Sequence, residues 1–172
     1  MTTRLAVQSD AEKIADVHVR SWQEAYRGLL PESLLANLSI ERRAAGWHRN
    51  LADSGAHTFV SVDIDGRITG FASLGVCRDA DATSDTAELT AIYVDPRDWE
   101  GGYGRALVEA VLEATRNERY RRLTLWVLKS NRRGRHFYEK MGFTADGTEK
   151  TETWSEDVVL EEVRYHILIL SP

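Results

Sequence analysis

The sequence predicts an α+β fold in which one mixed, mostly antiparallel β-sheet carries helices on both faces. Strand patterns over residues 87–96 and 122–128 are separated by an amphipathic helix pattern, and a helical crossover of this kind makes the two strands parallel. A strong hairpin signal at Asp65-Gly66 predicts antiparallel pairing elsewhere. Further helix patterns lie before and after these strands, so we expect helices to cover both faces.

The N-terminal part of the chain predicts a short strand over residues 2–8 and then three helices. Each helix has a residue type that favours starting or stopping a helix at its expected boundary. In chain order these signals are Ser9 with Glu12 as a capping box, Gly28 as a stop, Pro31 as a start, Ser39 as a cap and Gly55 as a stop.

The remainder of the chain predicts most of the sheet. Residues 57–64 and 67–76 form a hairpin, residues 79–85 an acidic loop, and residues 87–96 a strand that closes on a proline. There follow a helix near residues 105–114, the strand at 122–128, a helix at 131–141 ended by Gly142, and strands near 148–154 and 158–170. No repeat or linker composition interrupts residues 1–172, so we expect one domain.

Composition is that of an ordinary soluble protein, with 42% hydrophobic and 28% charged residues. The formal net charge of -5 and pI of about 5.6 argue against a nucleic-acid partner. A single cysteine, Cys77, excludes an internal disulfide, and the five histidines have no metal-ligand spacing, so we expect no metal. No apolar run resembles a signal peptide or a membrane span, so we expect a cytoplasmic protein without a membrane partner.

A glycine-rich turn lies between the strand at 87–96 and the helix that follows it. Gly101, Gly102 and Gly104 let the main chain approach a ligand closely, and the first turn of a helix leaves N–H groups without partners. A strand, a glycine turn and a helix N-terminus together make an anion site, most often for phosphate. The alternative is a glycine-rich connection that binds nothing.

A second motif lies on the helix over residues 131–141. Asn131 can cap this helix, and Gly134, Arg135 and Tyr138 share one face with it because they lie three, four and seven residues on. One edge of the helix is therefore polar and can approach a ligand at Gly134. The alternative is a surface helix on which Tyr138 only packs.

The two motifs together resemble those of the GCN5-related N-acetyltransferase (GNAT) superfamily. The second family motif, Asn-x-x-Ala-x-x-Phe-Tyr-x-x-x-Gly-Phe, is nearly complete from Asn131 to Phe143, with Gly134 in place of alanine. Residues 21–31 are similar to a subgroup with Trp-x-x-Ala-Tyr-x-Gly, and the ending over residues 162–165 is similar too. The resemblance therefore covers nearly the whole chain in the family's order.

The first motif departs from the family pattern, which is Val-x-Pro followed by Gln/Arg-Gly-x-Gly-x-Gly/Ala and a helix. Trp99 stands where the family has glutamine or arginine, and Glu100 stands at the first glycine. We expect the Glu100 side chain to turn to solvent, and Arg97 or Arg105 to supply the missing positive charge.

The resemblance implies that the acetyl group of acetyl-CoA moves directly to a primary amine of a small molecule or peptide within a ternary complex. It implies that pantetheine pairs with the strand beside a splayed cleft, that the loop holds the pyrophosphate, and that the Val94 N–H polarises the thioester carbonyl. The expected cofactor-binding residues are Ile92, Tyr93, Val94, Trp99, Glu100, Gly101, Gly102, Tyr103, Gly104, Arg105, Asn131, Arg135 and Tyr138.

Two side chains are expected to move protons. Tyr138 can protonate the departing thiolate because a phenol donates without an initial charge. Glu88, at the head of the same strand, is the candidate base for the amine, and the alternative is a solvated carboxylate at a strand end. Strand alternation places Glu88 with Thr90 and Ile92, whereas a bulge would reverse that.

Several other side chains have alternative interpretations. Trp22 and Tyr26 are one helical turn apart and either line the acceptor pocket or pack in the core. Cys77 is either a nucleophile or an inert core residue. The acidic loop could attract a cationic amine. A basic cluster meets either RNA or the 3′-phosphate of the cofactor; it consists of Lys129, Arg132, Arg133 and Arg135.

A different class of function stays open. The altered loop at Trp99 and Glu100 also suits a catalytically weak acyl-CoA sensor or a partner-binding module. The superfamily often forms homodimers, so a homodimer is a further expectation from the resemblance.

Overall fold

The fold is described from a computed structural model, which covers residues 1–52, 57–155 and 158–169. Gly55 and Leu170, expected to end a helix and a strand, lie outside these ranges. The elements in chain order are β1 (Thr2–Leu5), α1 (Ala11–Ala25), α2 (Glu32–Ala36), α3 (Ile40–Ala52), β2 (His57–Val62), β3 (Ile68–Val76), β4 (Thr86–Val94), α4 (Tyr103–Asn117), β5 (Arg122–Leu128), α5 (Arg132–Lys140), β6 (Thr144–Ser155) and β7 (Val158–Leu168).

The strands form one sheet in the order β1-β2-β3-β4-β5-β7-β6. Every neighbouring pair is antiparallel except β4 and β5, which are parallel, so the mixed sheet predicted from the sequence is confirmed. β4 and β5 pair only through Thr86 with Arg122, Ala87 with Leu123 and Glu88 with Thr124. Beyond these residues the two strands diverge, which opens a gap in the middle of the sheet.

Helices pack on both faces of the sheet, as the sequence predicts. On one face, Leu107 and Val111 of α4 are buried with Leu125 of β5 and with Phe143. On the other face, Ile14 of α1 and Trp47 of α3 are buried against Val60 and Phe71. The gap between β4 and β5 therefore lies between two separately packed layers.

A bulge in β4 changes which face each of its side chains occupies. Leu74 of β3 pairs with Leu89, but Ser73 pairs with Ala91, so Thr90 has no partner in the ladder. The extra residue reverses the alternation of side chains along the rest of the strand.

The bulge decides on which side of the sheet Glu88 lies. Leu89 before the bulge and Ile92 after it both pack toward α4, while Tyr93 packs toward α1 and α3. By alternation, Glu88 lies on the side of Tyr93 rather than with Ile92. The placement expected from unbroken alternation is therefore wrong, because a pairing with β3 overrides it.

The cap of α1 also differs from the prediction. The Asp10 carboxylate accepts the Val7 N–H at 2.9 Å and an Arg4 N–H at 2.7 Å, and α1 begins directly after it. This arginine lowers the pKa of Asp10. Glu12, expected to complete a capping box with Ser9, instead contacts His48 Nε2 at 2.7 Å.

Candidate active site

One wall of the gap is the C-terminal half of β4. The Asp95 N–H donates to the Thr69 carbonyl at 2.8 Å, so the main-chain groups of Asp95 and of Tyr93 face β3. Those of Ile92 and Val94 therefore face the gap. The Tyr93 main chain therefore faces β3, contrary to the expectation that it pairs with pantetheine, whereas the main-chain groups of Ile92 and the Val94 N–H face the gap.

The Val94 carbonyl is held by two side chains from different elements. It accepts the Ser21 hydroxyl of α1 at 2.9 Å and the Trp99 indole N–H at 2.9 Å. These bonds fix the peptide at the end of β4, and the Val94 N–H remains directed into the gap. Ser21 has no signal in the sequence that would single it out, because its partner lies 73 residues away.

The glycine-rich loop presents N–H groups at the N-terminus of α4. The first helical bond runs from the Ala106 N–H to the Gly102 carbonyl at 3.1 Å. The N–H groups of residues 102–105 have no main-chain acceptor in the described part of the chain. The loop is therefore arranged as an anion site.

The two departures from the family motif have distinct structural consequences. Glu100 has a φ of 70°, a left-handed conformation that glycine adopts without strain, and its side chain is exposed. Trp99 bridges the end of β4 to α5, because the Arg133 guanidinium carbon lies 3.6 Å from the centre of its ring. The expectation that Glu100 turns to solvent is confirmed.

The positive charge near the loop comes from a different arginine than expected. Arg97 pairs with Asp95 at 2.6 Å, and Arg105 pairs with Glu109 at 2.8 Å, so each is already balanced by a carboxylate. Arg133 stacks on Trp99 and makes no ion pair with a described residue. The sequence places Arg133 in the basic cluster but does not connect it with Trp99.

Asn131 caps α5, as the sequence predicts. Its Oδ1 accepts the Gly134 N–H at 2.9 Å, which leaves the Nδ2 group as a donor. A Cβ added to Gly134 would lie 2.8 Å from Nδ2 of Asn131, so glycine allows this side chain to lie close against the helix.

Arg135 is built into the connection between β5 and α5. Its Nε donates to the Tyr165 hydroxyl at 3.1 Å and its Nη1 donates to the Lys129 carbonyl at 3.1 Å. The Lys129 ammonium pairs with Glu149 at 2.7 Å. Two of the four residues in the predicted basic cluster are therefore engaged within the protein.

Three tyrosines converge on the gap. The hydroxyls of Tyr26 and Tyr93 lie 3.1 Å apart, and burial raises the pKa of both. Burial, together with the neighbouring Tyr93, also raises the pKa of Tyr138, which reaches the gap from α5. All three phenols therefore keep their protons at neutral pH.

The predicted acceptor residues lie on the face of the sheet opposite α5. The Trp22 ring meets the Tyr26 ring edge-on with centroids 5.0 Å apart, and both pack against Leu30, Leu35 and Leu128. Trp22 also approaches Tyr93, with ring centroids 6.2 Å apart. The two residues are part of a small apolar cluster and also form a wall beside the gap.

Glu88 is a buried carboxylate, only 8% exposed, at the point where β4 and β5 begin to diverge. Burial raises its pKa, Arg78 opposes that shift, and Asp79 adds to it. The interpretation of Glu88 as a solvated strand-end carboxylate is therefore wrong.

The surroundings of Cys77 and of the acidic loop also decide between the interpretations given for them. Burial raises the pKa of the Cys77 thiol, which lies 3.5 Å from the Thr124 hydroxyl, so this cysteine is unsuited as a nucleophile. Arg164, 5% exposed, binds Asp79 at 3.0 Å and Asp81 at 2.6 Å. Those carboxylates of the acidic loop are thus paired rather than free to attract an amine.

Within residues 1–52, 57–155 and 158–169, no three or more His, Cys, Asp or Glu side chains are arranged to hold a metal ion. No described helix combines the length and the apolar character needed to cross a membrane.

Comparisons with known proteins agree with this architecture. The sequence profile of the Acetyltransferase (GNAT) family matches residues 14–143. The uncharacterised N-acetyltransferase YuaI of Bacillus subtilis (strain 168) is 32% identical over 131 residues, which are 76% of this chain and 73% of YuaI.

Solved structures show a similar fold at lower identity. A ribosomal-protein-alanine N-acetyltransferase from Brucella melitensis has a TM-score of 0.76 and 22% identity, over 98% of this chain and 99% of that one. YncA from Salmonella typhimurium, solved with its cofactor acetyl-CoA, has a TM-score of 0.74 and 19% identity, over 100% of this chain and 95% of that one.

Proposed function

The chain belongs to the GNAT family of acetyltransferases, and from that premise we propose that it transfers the acetyl group of acetyl-CoA directly to a primary amine. The acceptor is the amine of a small molecule or of a peptide. The observation that carries this proposal is the gap between β4 and β5, which has main-chain donors on one side and Tyr138 on the other.

The residues around the gap fit acetyl-CoA. Ile92 offers its main-chain N–H and carbonyl to the amides of pantetheine, which leaves the Val94 N–H for the thioester. The N–H groups of residues 102–105 offer donors to the pyrophosphate. Asn131 Nδ2 offers a further donor from α5. YncA has the same fold and was solved in complex with acetyl-CoA, which supports this assignment.

Acetyl-CoA supplies an activated acyl group, and the protein supplies position and proton transfer. The Val94 N–H donates to the thioester carbonyl oxygen, where negative charge develops. Glu88 accepts a proton from the acceptor ammonium, directly or through water, and Tyr138 donates a proton to the sulfur. One C–N bond forms and one C–S bond breaks, so an ammonium and a thioester give an amide, a free thiol and one released proton.

The burial of Glu88 suits the proposed role of a base. A lysine-like amine has a pKa of about 10.4, so its neutralisation at pH 7 costs about 4–5 kcal/mol, whereas an α-amine costs only about 1 kcal/mol. A carboxylate with a raised pKa accepts a proton more readily than an exposed one.

The test is release of free thiol from acetyl-CoA over a panel of amines. We expect release that depends on the amine, with intersecting initial-velocity lines, as a ternary complex requires. Parallel lines, or an acetylated protein isolated in the absence of amine, would contradict direct transfer.

A second candidate is a catalytically weak acyl-CoA sensor. The departure of the loop from the family motif at Trp99 and Glu100 is the observation that favours it. Saturable binding of acetyl-CoA without thiol release on any amine would favour the sensor over the enzyme.

A further inference from the structure

Arg43, on α3, is a partly buried cation that has no oxygen partner among the described residues. Four arginines of the chain are less than fully exposed: Arg43, Arg122, Arg135 and Arg164. The last three donate to oxygen atoms at 3.1 Å or less. Arg43 makes no hydrogen bond or ion pair with any residue that the structure describes, and its guanidinium carbon lies 5.1 Å from the centre of the Trp22 ring.

An arginine in this environment has lost water without gaining an acceptor. Contact with an aromatic face compensates only part of that loss. A half-buried guanidinium therefore presents its planar set of N–H donors to whatever oxygen atoms enter the space beside it.

Arg43 lies beside the aromatic residues that border the acceptor side of the gap. Trp22, which Arg43 covers, stands edge-on to Tyr26 and next to Tyr93. The positive charge of Arg43 reaches Tyr93 and also His18, where burial and this charge lower the pKa to about 3. Tyr93 directly precedes Val94, whose N–H is directed into the gap.

Two carboxylates also lie near these aromatic residues. Glu162 acts on the hydroxyls of both Tyr26 and Tyr93, and Glu88 is buried where β4 and β5 diverge. Glu162 is paired with Lys150 at 3.3 Å, so the acceptor side of the gap has a positive charge at Arg43 and a buried carboxylate at Glu88.

Building on the function proposed above, we propose that Arg43 binds a carboxylate of the acceptor, so that the acceptor is a zwitterionic amine such as a free amino acid. Its carboxylate lies on the guanidinium, where two parallel N–H···O bonds can form, and its ammonium lies toward Glu88. The aromatic wall of Trp22, Tyr26 and Tyr93 contacts its apolar part.

The test compares acceptors that differ only in the carboxylate. Phenylalanine is paired with 2-phenylethylamine, and leucine is paired with 3-methylbutylamine. The Arg43→Gln variant is compared with Arg42→Gln, which removes the same charge from the neighbouring exposed position. We expect Arg43→Gln to raise KM at least about tenfold for the amino acids, as loss of a charged hydrogen bond does, and to leave KM for the plain amines within about twofold.

Two results would overturn the proposal. One is a wild-type protein that prefers the plain amines to the amino acids. The other is an Arg43→Gln effect that is equal for both members of a pair, since a purely structural role of Arg43 would change both alike. Arg42→Gln is expected to change neither.

A binding measurement separates this proposal from the proposed function. If no amine in the panel is acetylated, the function proposed above fails, and Arg43 is then tested by equilibrium binding to the full chain saturated with CoA. N-acetylphenylalanine is expected to bind at least about tenfold more tightly than N-acetyl-2-phenylethylamine, and Arg43→Gln is expected to remove that preference. Equal affinities in the wild type would contradict the carboxylate site.

Discussion

Replacing Glu100 by glycine is expected to tighten the binding of CoA while leaving the stability of the protein nearly unchanged. Glycine relieves the strain of the left-handed conformation at φ 70°, which raises the free energy of unfolding of the variant by about 1–2 kcal/mol. Glycine also gives the unfolded chain more conformational freedom, which lowers the free energy of unfolding by about 0.5–1 kcal/mol. Loss of a carboxylate near the N-terminus of α4 also lowers it, by about 0.3–1 kcal/mol. The free energy of unfolding should therefore change by less than about 1 kcal/mol.

The gain in affinity follows from Coulomb's law. Two like charges about 7 Å apart in water repel by about 0.6 kcal/mol, so a solvent-exposed carboxylate at that distance from each of the two charges of a pyrophosphate costs about 1.2 kcal/mol. Its removal should lower the Kd for CoA about sevenfold at low salt. Because the Debye length is about 8 Å at physiological ionic strength, the gain should shrink to about twofold there.

The assay is calorimetric titration with CoA at low and at physiological salt. Arg119→Gly is the matched control, since Arg119 is the other non-glycine residue with positive φ in the described part of the chain, at 64°, and lies just past the C-terminal end of α4. It should relieve similar strain without changing the Kd. An unchanged Kd for Glu100→Gly at low salt, or an equal change for Arg119→Gly, would refute the electrostatic reasoning.

Three further substitutions test the remaining parts of the site. Tyr138→Phe should lower kcat about 10²–10⁴-fold with an unchanged Kd for CoA, and an unchanged kcat would exclude it as the acid. Arg133→Gln should weaken CoA binding about three- to tenfold at low salt and flatten its salt dependence; the same effect from exposed Arg132→Gln would show that the Trp99 stack is irrelevant. For Glu88, burial raises the pKa, so activity should rise with pH through a value above that of an ordinary glutamate. Glu88→Gln should abolish this acid limb, and a limb that persists would identify another base.

The parts of the site that are local in sequence could be predicted. Asn131, Gly134 and Tyr138 lie on one helix, where spacing alone decides which side chains share a face. The glycine turn is predictable for the same reason, because its N–H groups belong to consecutive residues. In both cases the relevant geometry spans no more than two helical turns.

The parts that depend on distant partners could not be predicted. The side of Glu88 is decided by the register between β3 and β4, which leaves Thr90 unpaired and which the sequence of one strand does not encode. The acidic loop is balanced by Arg164, which is 83 residues from Asp81. Composition counts such charges but does not say which of them meet.

The short ladder between β4 and β5 links the cofactor to the lifetime of the folded chain. Only the three residue pairs between β4 and β5 join the strands β1 to β4 with the strands β5, β7 and β6 in the ladder of the described residues. The amides of Ile92 and Val94 lie beyond these pairs, so they are open to hydrogen exchange without any unfolding. In the proposed mode of binding, the pantetheine arm would bond to them and fill the place of a missing strand between the two groups of strands. At a hundredfold excess over its Kd, such a ligand stabilises the native state by about 2.7 kcal/mol. On the proposed mode of binding, a larger supply of CoA should therefore lengthen the time for which the protein resists proteolysis.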